Sequence, residues 1–198
     1  STSFGISVAD FDGDGHEDLF LAQNFFGVDH ETSRQDAGRG LLLLGDGHGS
    51  FQALRTTESG ISLIGEQRAC AVADFDRDGR PDLAVGQHQG PLRLLHNRRG
   101  HPGVRVRLRG AAVNPAGIGA RLRLRFAEGF GNLREVRAGT GYRSQDAFTQ
   151  VLPTPRPPIT VQVRWPNGTL HEWAWPNSAL SISISEMAGP RVESTSAR

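Results

Sequence analysis

Residues 6–22 read ISVADFDGDGHEDLFLA and residues 70–86 read CAVADFDRDGRPDLAVG, one pattern written twice with its first aspartates, Asp10 and Asp74, 64 positions apart. In each copy an apolar run enters a D-x-D-x-D-G-x-x-D loop and a second short apolar run leaves it. The flanks are too short for helices and rich in Val, Ile and Phe, so they read as β-strands joined by an acidic turn. Between the copies, LLLLGDGHGSF (41–51) is a further strand running into a Gly-rich turn, and residues 27–40 read as a long exposed loop. No long segment has helical periodicity. The pattern predicts an all-β chain built on an internal repeat.

Aspartates at alternate positions repel one another unless a cation lies among them. In the first loop Asp10, Asp12, Asp14 and Asp18 supply carboxylates, Gly15 permits the positive φ that folds the loop back, and the His16 carbonyl adds a further oxygen. Asp74, Asp76, Asp78, the Arg80 carbonyl and Asp82 repeat the set. Oxygen-only ligation from a flexible loop suits Ca²⁺ better than Mg²⁺ or a transition metal, so the spacing predicts two calcium sites. An EF-hand begins in the same way but requires Glu at loop position 12 and flanking helices. Leu21 and Val85 stand there, within predicted strands, and exclude it. Without an ion, Asp-Gly-rich turns of this kind can also simply cap strands.

Beyond Asn97 the texture changes. Residues 104–109 (VRVRLR) and 121–126 (RLRLRF) alternate with period two, placing Arg105, Arg107 and Arg109 on one face of one strand and Arg121, Arg123 and Arg125 on one face of another. If these strands pair, six guanidinium groups share a surface, either a solvated outer face or a face for an anionic protein or glycan. TVQVRW (160–165) and LSISIS (180–185) alternate as well. Asn167-Gly168 predicts a two-residue hairpin turn, setting Trp165 opposite Leu170, Val163 opposite Glu172 and Val161 opposite Ala174. Trp173 and Trp175 then fall on the polar face, to stack on sugar rings or pack on the neighbouring domain, unless a bulge shifts the register and returns them to the core. Asn167-Gly168-Thr169 also matches a glycosylation acceptor, although the turn alone accounts for it. PTPRPP (153–158) reads as a stiff connector and residues 188–198 as a disordered tail.

The chain has 198 residues, 25 of them glycine, a net charge of +1, one Cys and no Lys. That charge conceals a division: residues 1–90 carry 15 Asp/Glu against 6 Arg, and residues 91–198 carry 6 against 16. The step predicts two domains, at 1–99 and 100–187, that can dock through opposite charge. Cys70 alone excludes an internal disulfide. No apolar run is long enough for a membrane-spanning helix. The seven histidines show no H-E-x-x-H spacing, and no G-x-S-x-G elbow, phosphate loop or nucleic-acid motif is present. The sequence therefore predicts no catalysis and no nucleic-acid partner.

DFDGDGHEDL and DFDRDGRPDL resemble the calcium loops of FG-GAP/VCBS repeats, the blades of integrin-α-type β-propellers. NPAGIGARLRL (114–124), REVRAGTGYRSQ (134–145) and VRWPNGT (163–169) resemble the ASPIC/UnbV domain that follows such repeats in the cartilage acidic protein-like family. One departure is AFTQVLPTPRPP, which stands where the family has a His-Phe-Gly-Leu-Gly-like turn. The resemblance implies a partial β-propeller followed by a small antiparallel β-sandwich or barrel-like domain, with Phe11 and Phe75 as core anchors. It implies Ca²⁺ at loop positions 1, 3, 5, 7 and 9. Two repeats do not close a propeller, so it also implies further N-terminal blades as partners. The expected function is a secreted or cell-envelope, calcium-binding interaction module for protein or glycan. The alternative is an enzyme or biosynthetic accessory protein whose active site lies in other blades.

Overall fold

Alternation decides the first sheet. In Ser3–Ala9 the residues Gly5, Ser7 and Ala9 are buried while Ile6 and Val8 face outward, the period-two pattern of a strand. The computed structural model of the chain describes residues 1–176 and 179–193. Strands β1 (Ser3–Ala9), β2 (Asp18–Gln23), β3 (Leu41–Gly45) and β4 (Phe51–Ala53) form one four-stranded antiparallel meander. A single helical turn, α1 (Thr56–Ser59), leads to a second meander of β5 (Gln67–Ala73), β6 (Asp82–Gln87) and β7 (Arg93–Leu95). The two sheets are propeller-like blades. Their inner strands β1 and β5 lie side by side, and one core joins them through Phe11, Phe20, Ile61, Leu63, Cys70, Leu83 and Val85.

The blade junction is polar at its outer end. Asn24, fully buried at φ 87°, donates its amide to the carbonyls of Gly38, Ile64 and Gly65 and accepts from the Gly38 N–H. This side chain supplies partners that no strand can offer there.

The second half comprises β8 (Val104–Arg109), β9 (Arg121–Phe126), β10 (Gly129–Phe130), β11 (Arg134–Glu135), β12 (Gln150–Leu152), β13 (Thr160–Arg164), β14 (Leu170–Ala174), β15 (Ser181–Ser185) and β16 (Gly189–Val192). One sheet has the order β10-β9-β13-β14 with β11 also on β9, and the other has β12-β8-β15-β16. They face each other over a separate core: Val104, Val106 and Leu108 of one sheet against Leu122, Leu124, Phe126, Val161 and Val163 of the other. β8 and β15 run parallel, the single exception among otherwise antiparallel pairs of the described residues.

Four expectations change. First, β8 and β9 do not pair; they belong to different sheets, so no six-arginine surface exists. The aliphatic residues of both strands must face one core, which turns their arginines to opposite outsides of the sandwich. Second, the β13–β14 register is Arg164 with Leu170 and Val161 with Trp173, one residue from the expected pairing. Gly168 N–H donates to the Trp165 carbonyl and Gly168 has φ 90°. The loop is thus Pro166-Asn167-Gly168, a type I turn closed by a left-handed glycine. Pro166 has its φ held near −65°, which suits the second position of a type I turn and makes a three-residue loop of what reads as a two-residue one. A one-residue slip exchanges the faces of a strand. Trp175 is accordingly buried in the core, and Trp173 packs against it.

Third, residues 189–192 form β16, pairing with β15, where a tail was expected; residues 194–198 of that tail lie outside the described residues. Fourth, Phe11 is buried, but Phe75 is half exposed, with its ring edge on His96. Blade two covers Phe11; after blade two comes the sandwich, which leaves Phe75 uncovered.

Candidate metal centres

Each acidic loop joins the first two strands of its blade and is built by the same local hydrogen bonds. Asp10 accepts from Gly13 N–H (2.6 Å) and Gly15 N–H (2.7 Å), and Asp14 from His16 N–H (2.7 Å). In the second loop Asp74 accepts from Asp78 and Gly79, and Asp78 from Arg80 N–H. The last aspartate closes the loop: Asp18 takes Phe11 N–H (2.7 Å) and Gly45 N–H (2.9 Å), and Asp82 takes Phe75 N–H (3.2 Å) and Asn97 N–H (2.7 Å). Aspartate followed by small residues favours these side-chain-to-backbone turns.

The structure brings together Asp10, Asp12 and Asp18 in one loop and Asp74, Asp76 and Asp82 in the other, with one oxygen of each residue within 4.8 Å of the rest of its set. Asp14 is outside the first set, and Asp78 lies instead with Asp76 and His96. The His16 and Arg80 carbonyls belong to the same loops, at the seventh position of each.

In the first loop Asp10 and Asp18 are buried to 4 % and 0 % exposure. Burial drives the Asp10 carboxyl up to about 7, against the hydrogen bonds from Gly15 and Gly13 and with the charges of Asp18 and Asp12 adding to it. Burial likewise drives Asp18 up to about 6, against the hydrogen bonds from Gly45 and Phe11. No Arg or His among the described residues pairs with Asp10, Asp12, Asp14 or Asp18. Hard oxygen donors carrying buried, uncompensated charge fit a divalent cation of the calcium kind.

The second loop differs. Arg105 Nε lies 2.7 Å from Asp74 Oδ2, Arg80 Nη1 2.6 Å from Asp78 Oδ2, and His96 Nε2 2.6 Å from Asp76 Oδ2. Burial raises Asp74, with Arg105 pulling it back. Burial also opposes the ionisation of Asp78, but the hydrogen bonds from Arg80 and His96 outweigh it and hold that carboxyl low. His96 occupies the place that Leu44 takes in the first blade, just before the residue whose N–H caps the closing aspartate. Aligning the two repeats strand by strand exposes this exchange; the loop motif alone does not.

The sandwich sits directly on both loops. Linker residue His101 donates its N–H to the Asp12 carbonyl (2.7 Å), and Gly103 donates to the Gly79 carbonyl (2.8 Å). A Cβ on Gly13 would strike His101, and one on Gly79 the Gly103 carbonyl. Arg134 pairs with Glu17 at 2.8 Å, and Asn132 donates to Glu17 and to the Gly15 carbonyl. The loop after β11 completes the seam, where Val72 N–H donates to Asp146 and Ala147 N–H to the Val72 carbonyl. A cleft of about 340 Å³ runs along this seam.

The remaining candidate residues separate. Arg121 pairs with Glu135, Arg125 with Glu172 and Arg109 with Glu193, while Arg123 lies over the Phe130 ring and Arg107 is exposed. Trp175 lies in the sandwich core and Trp173 packs against it, so neither the sugar-stacking nor the domain-packing placement on the polar face is what these two residues adopt.

No curated protein matches the chain. The family of FG-GAP-like repeats matches residues 10–85, and the family described as ASPIC and UnbV matches residues 110–190. The first match spans both acidic loops and the second most of the sandwich, so the chain is an FG-GAP-like repeat segment joined to an ASPIC/UnbV domain.

Proposed function

We propose that this chain is a calcium-stabilised, non-catalytic interaction module acting outside the cell. The observation that carries the reading is the first loop, where three carboxylates converge and two of them are buried with no Arg or His of the described residues paired to them. FG-GAP repeat domains are typically extracellular, and no helix of the described residues is long and apolar enough to cross a membrane. Millimolar calcium outside cells suits a modest site: at ~2 mM ion, a Kd of about 0.1 mM contributes roughly 1.8 kcal/mol to stability. At cytosolic levels the same site contributes almost nothing.

In this reading Asp10, Asp12 and Asp18 hold the ion, and Asp14 and the His16 carbonyl of the same loop would supply the further oxygens. The ion supplies positive charge that lets the buried carboxylates stay ionised. Protein or glycan partners meet the outer surface, where Arg107 offers an exposed cation.

The test is a thermal melt with and without millimolar calcium, with Asp12→Ala as control. A rise of roughly 5 °C that EDTA reverses and the variant lacks is expected for a chain of this size. A cooperative melt indifferent to calcium overturns the reading.

A further inference from the structure

The two loops share one scaffold: similar aspartate-to-backbone turns and a closing aspartate tied to the end of its blade's third strand or just beyond it. What separates them is what faces them, and the separation is in charge. The first loop presents four carboxylates and, among the described residues, no Arg or His side chain paired with them. In the second, Asp74, Asp76 and Asp78 each have one: Arg105, His96 and Arg80.

We propose that the loops have divided roles: the first takes calcium, and the second is closed by the chain's own side chains, Arg105 above all, as a latch between blade and sandwich. The proposal rests on the calcium reading of the first loop. Arg105 belongs to β8, the first strand of the sandwich, and the Asp74 side chain it meets is only 2 % exposed, with Arg105 itself at 13 %. Contact between two shielded charges is far less weakened by solvent than a surface pair. A guanidinium stays protonated throughout the accessible pH range, so Asp74 always has this counter-charge.

A calcium ion entering the second loop would stand against Arg105 while competing for the same carboxylate. It would also have to displace Arg80 from Asp78 and His96 from Asp76. An imidazole moreover adds a nitrogen donor to what is otherwise the hard-oxygen set that calcium prefers. The linker reinforces the latch, since Gly103 N–H is bonded to the Gly79 carbonyl within that loop. Opening the second loop for an ion therefore means loosening the sandwich from the blade.

The experiment counts ions. Calorimetric titration of the chain with calcium chloride, checked by equilibrium dialysis and elemental analysis, is expected to give one ion per chain. Asp12→Asn should bind none, Asp76→Asn should still bind one, and Arg105→Gln should bind two. Melts in EDTA read the latch without calcium: Arg105→Gln and Asp74→Asn should each lower the melting temperature, and the double variant should fall little further than either. Two ions in the wild type, one lost with each loop variant, overturn this inference and leave the calcium reading standing. No binding by the wild type and Arg105→Gln alike overturns the calcium reading, and with it the ion count. Additive losses in the EDTA melts overturn the latch. If Arg105→Gln does not fold, the wild-type count against Asp76→Asn still decides.

Discussion

Asn97 donates its side-chain amide to the Phe11 carbonyl at 2.7 Å, joining the end of the second blade to the acidic loop of the first. Its own N–H meanwhile caps Asp82 in the second loop. One residue thus ties both loops.

Asn97→Ala removes that amide, leaving the Phe11 carbonyl without its donor and removing the weaker bond the amide donates to the Pro81 carbonyl at 3.2 Å. The expected loss is about 1–3 kcal/mol, read by urea denaturation. In calcium titrations the same variant should bind more weakly, because the second residue of the first loop is no longer held. Unchanged stability would mean that the two loops are not coupled through this contact.

The pH response in EDTA has a definite sign. The folded chain holds the Asp10 carboxyl at about 7, above its ordinary 3.8. Protonation therefore favours the folded state; this contribution is complete below the unfolded value and is lost as pH rises through the folded one. Between pH 8 and pH 5 the metal-free chain should gain stability on the order of 2 kcal/mol from this group. Asp10→Asn should flatten that slope. Calcium affinity should move the opposite way and weaken on acidification, since protons and the ion compete for the same carboxylate.

Asn24 offers a test of the blade junction that is independent of metal. Asn24→Ala strips partners from the carbonyls of Gly38, Ile64 and Gly65 and from the Gly38 N–H, all at a buried site. It also places an alanine at φ 87°, a strained position for any L side chain but asparagine or aspartate. The expected cost is about 2–4 kcal/mol in chemical denaturation.

Trp165, 2 % exposed, lies in the sandwich core at the start of the β13–β14 turn. Trp165→Ala should cost about 3–5 kcal/mol, seen as a lower midpoint in guanidinium. Trp173→Ala should also destabilise, through contacts with that core, in place of the loss of a sugar-binding surface. A stable variant with selectively impaired glycan binding would contradict the observed register.

Much of this protein was legible from its residues because the determining interactions are local. The D-x-D-x-D-G-x-x-D loops build themselves from hydrogen bonds a few residues long, and Val104, Val106 and Leu108 declare a strand by alternation alone. The repeat, the all-β class and the carboxylate set of Asp10, Asp12 and Asp18 followed from such patterns, and the domain pair followed from resemblance. Tertiary structure decided the rest, through contacts that no spacing encodes. Which sheet β8 and β9 joined depended on closing one core between them. Whether Asn167-Gly168 or Pro166-Asn167-Gly168 made the turn depended on Pro166, and the answer carried Trp173 and Trp175 to the other face. Above all, the two loops look alike as sequence. Only the arrival of Arg105 from the next domain and of His96 from just beyond β7 made one of them different, because a carboxylate is met by whatever the fold brings near, at any distance along the chain.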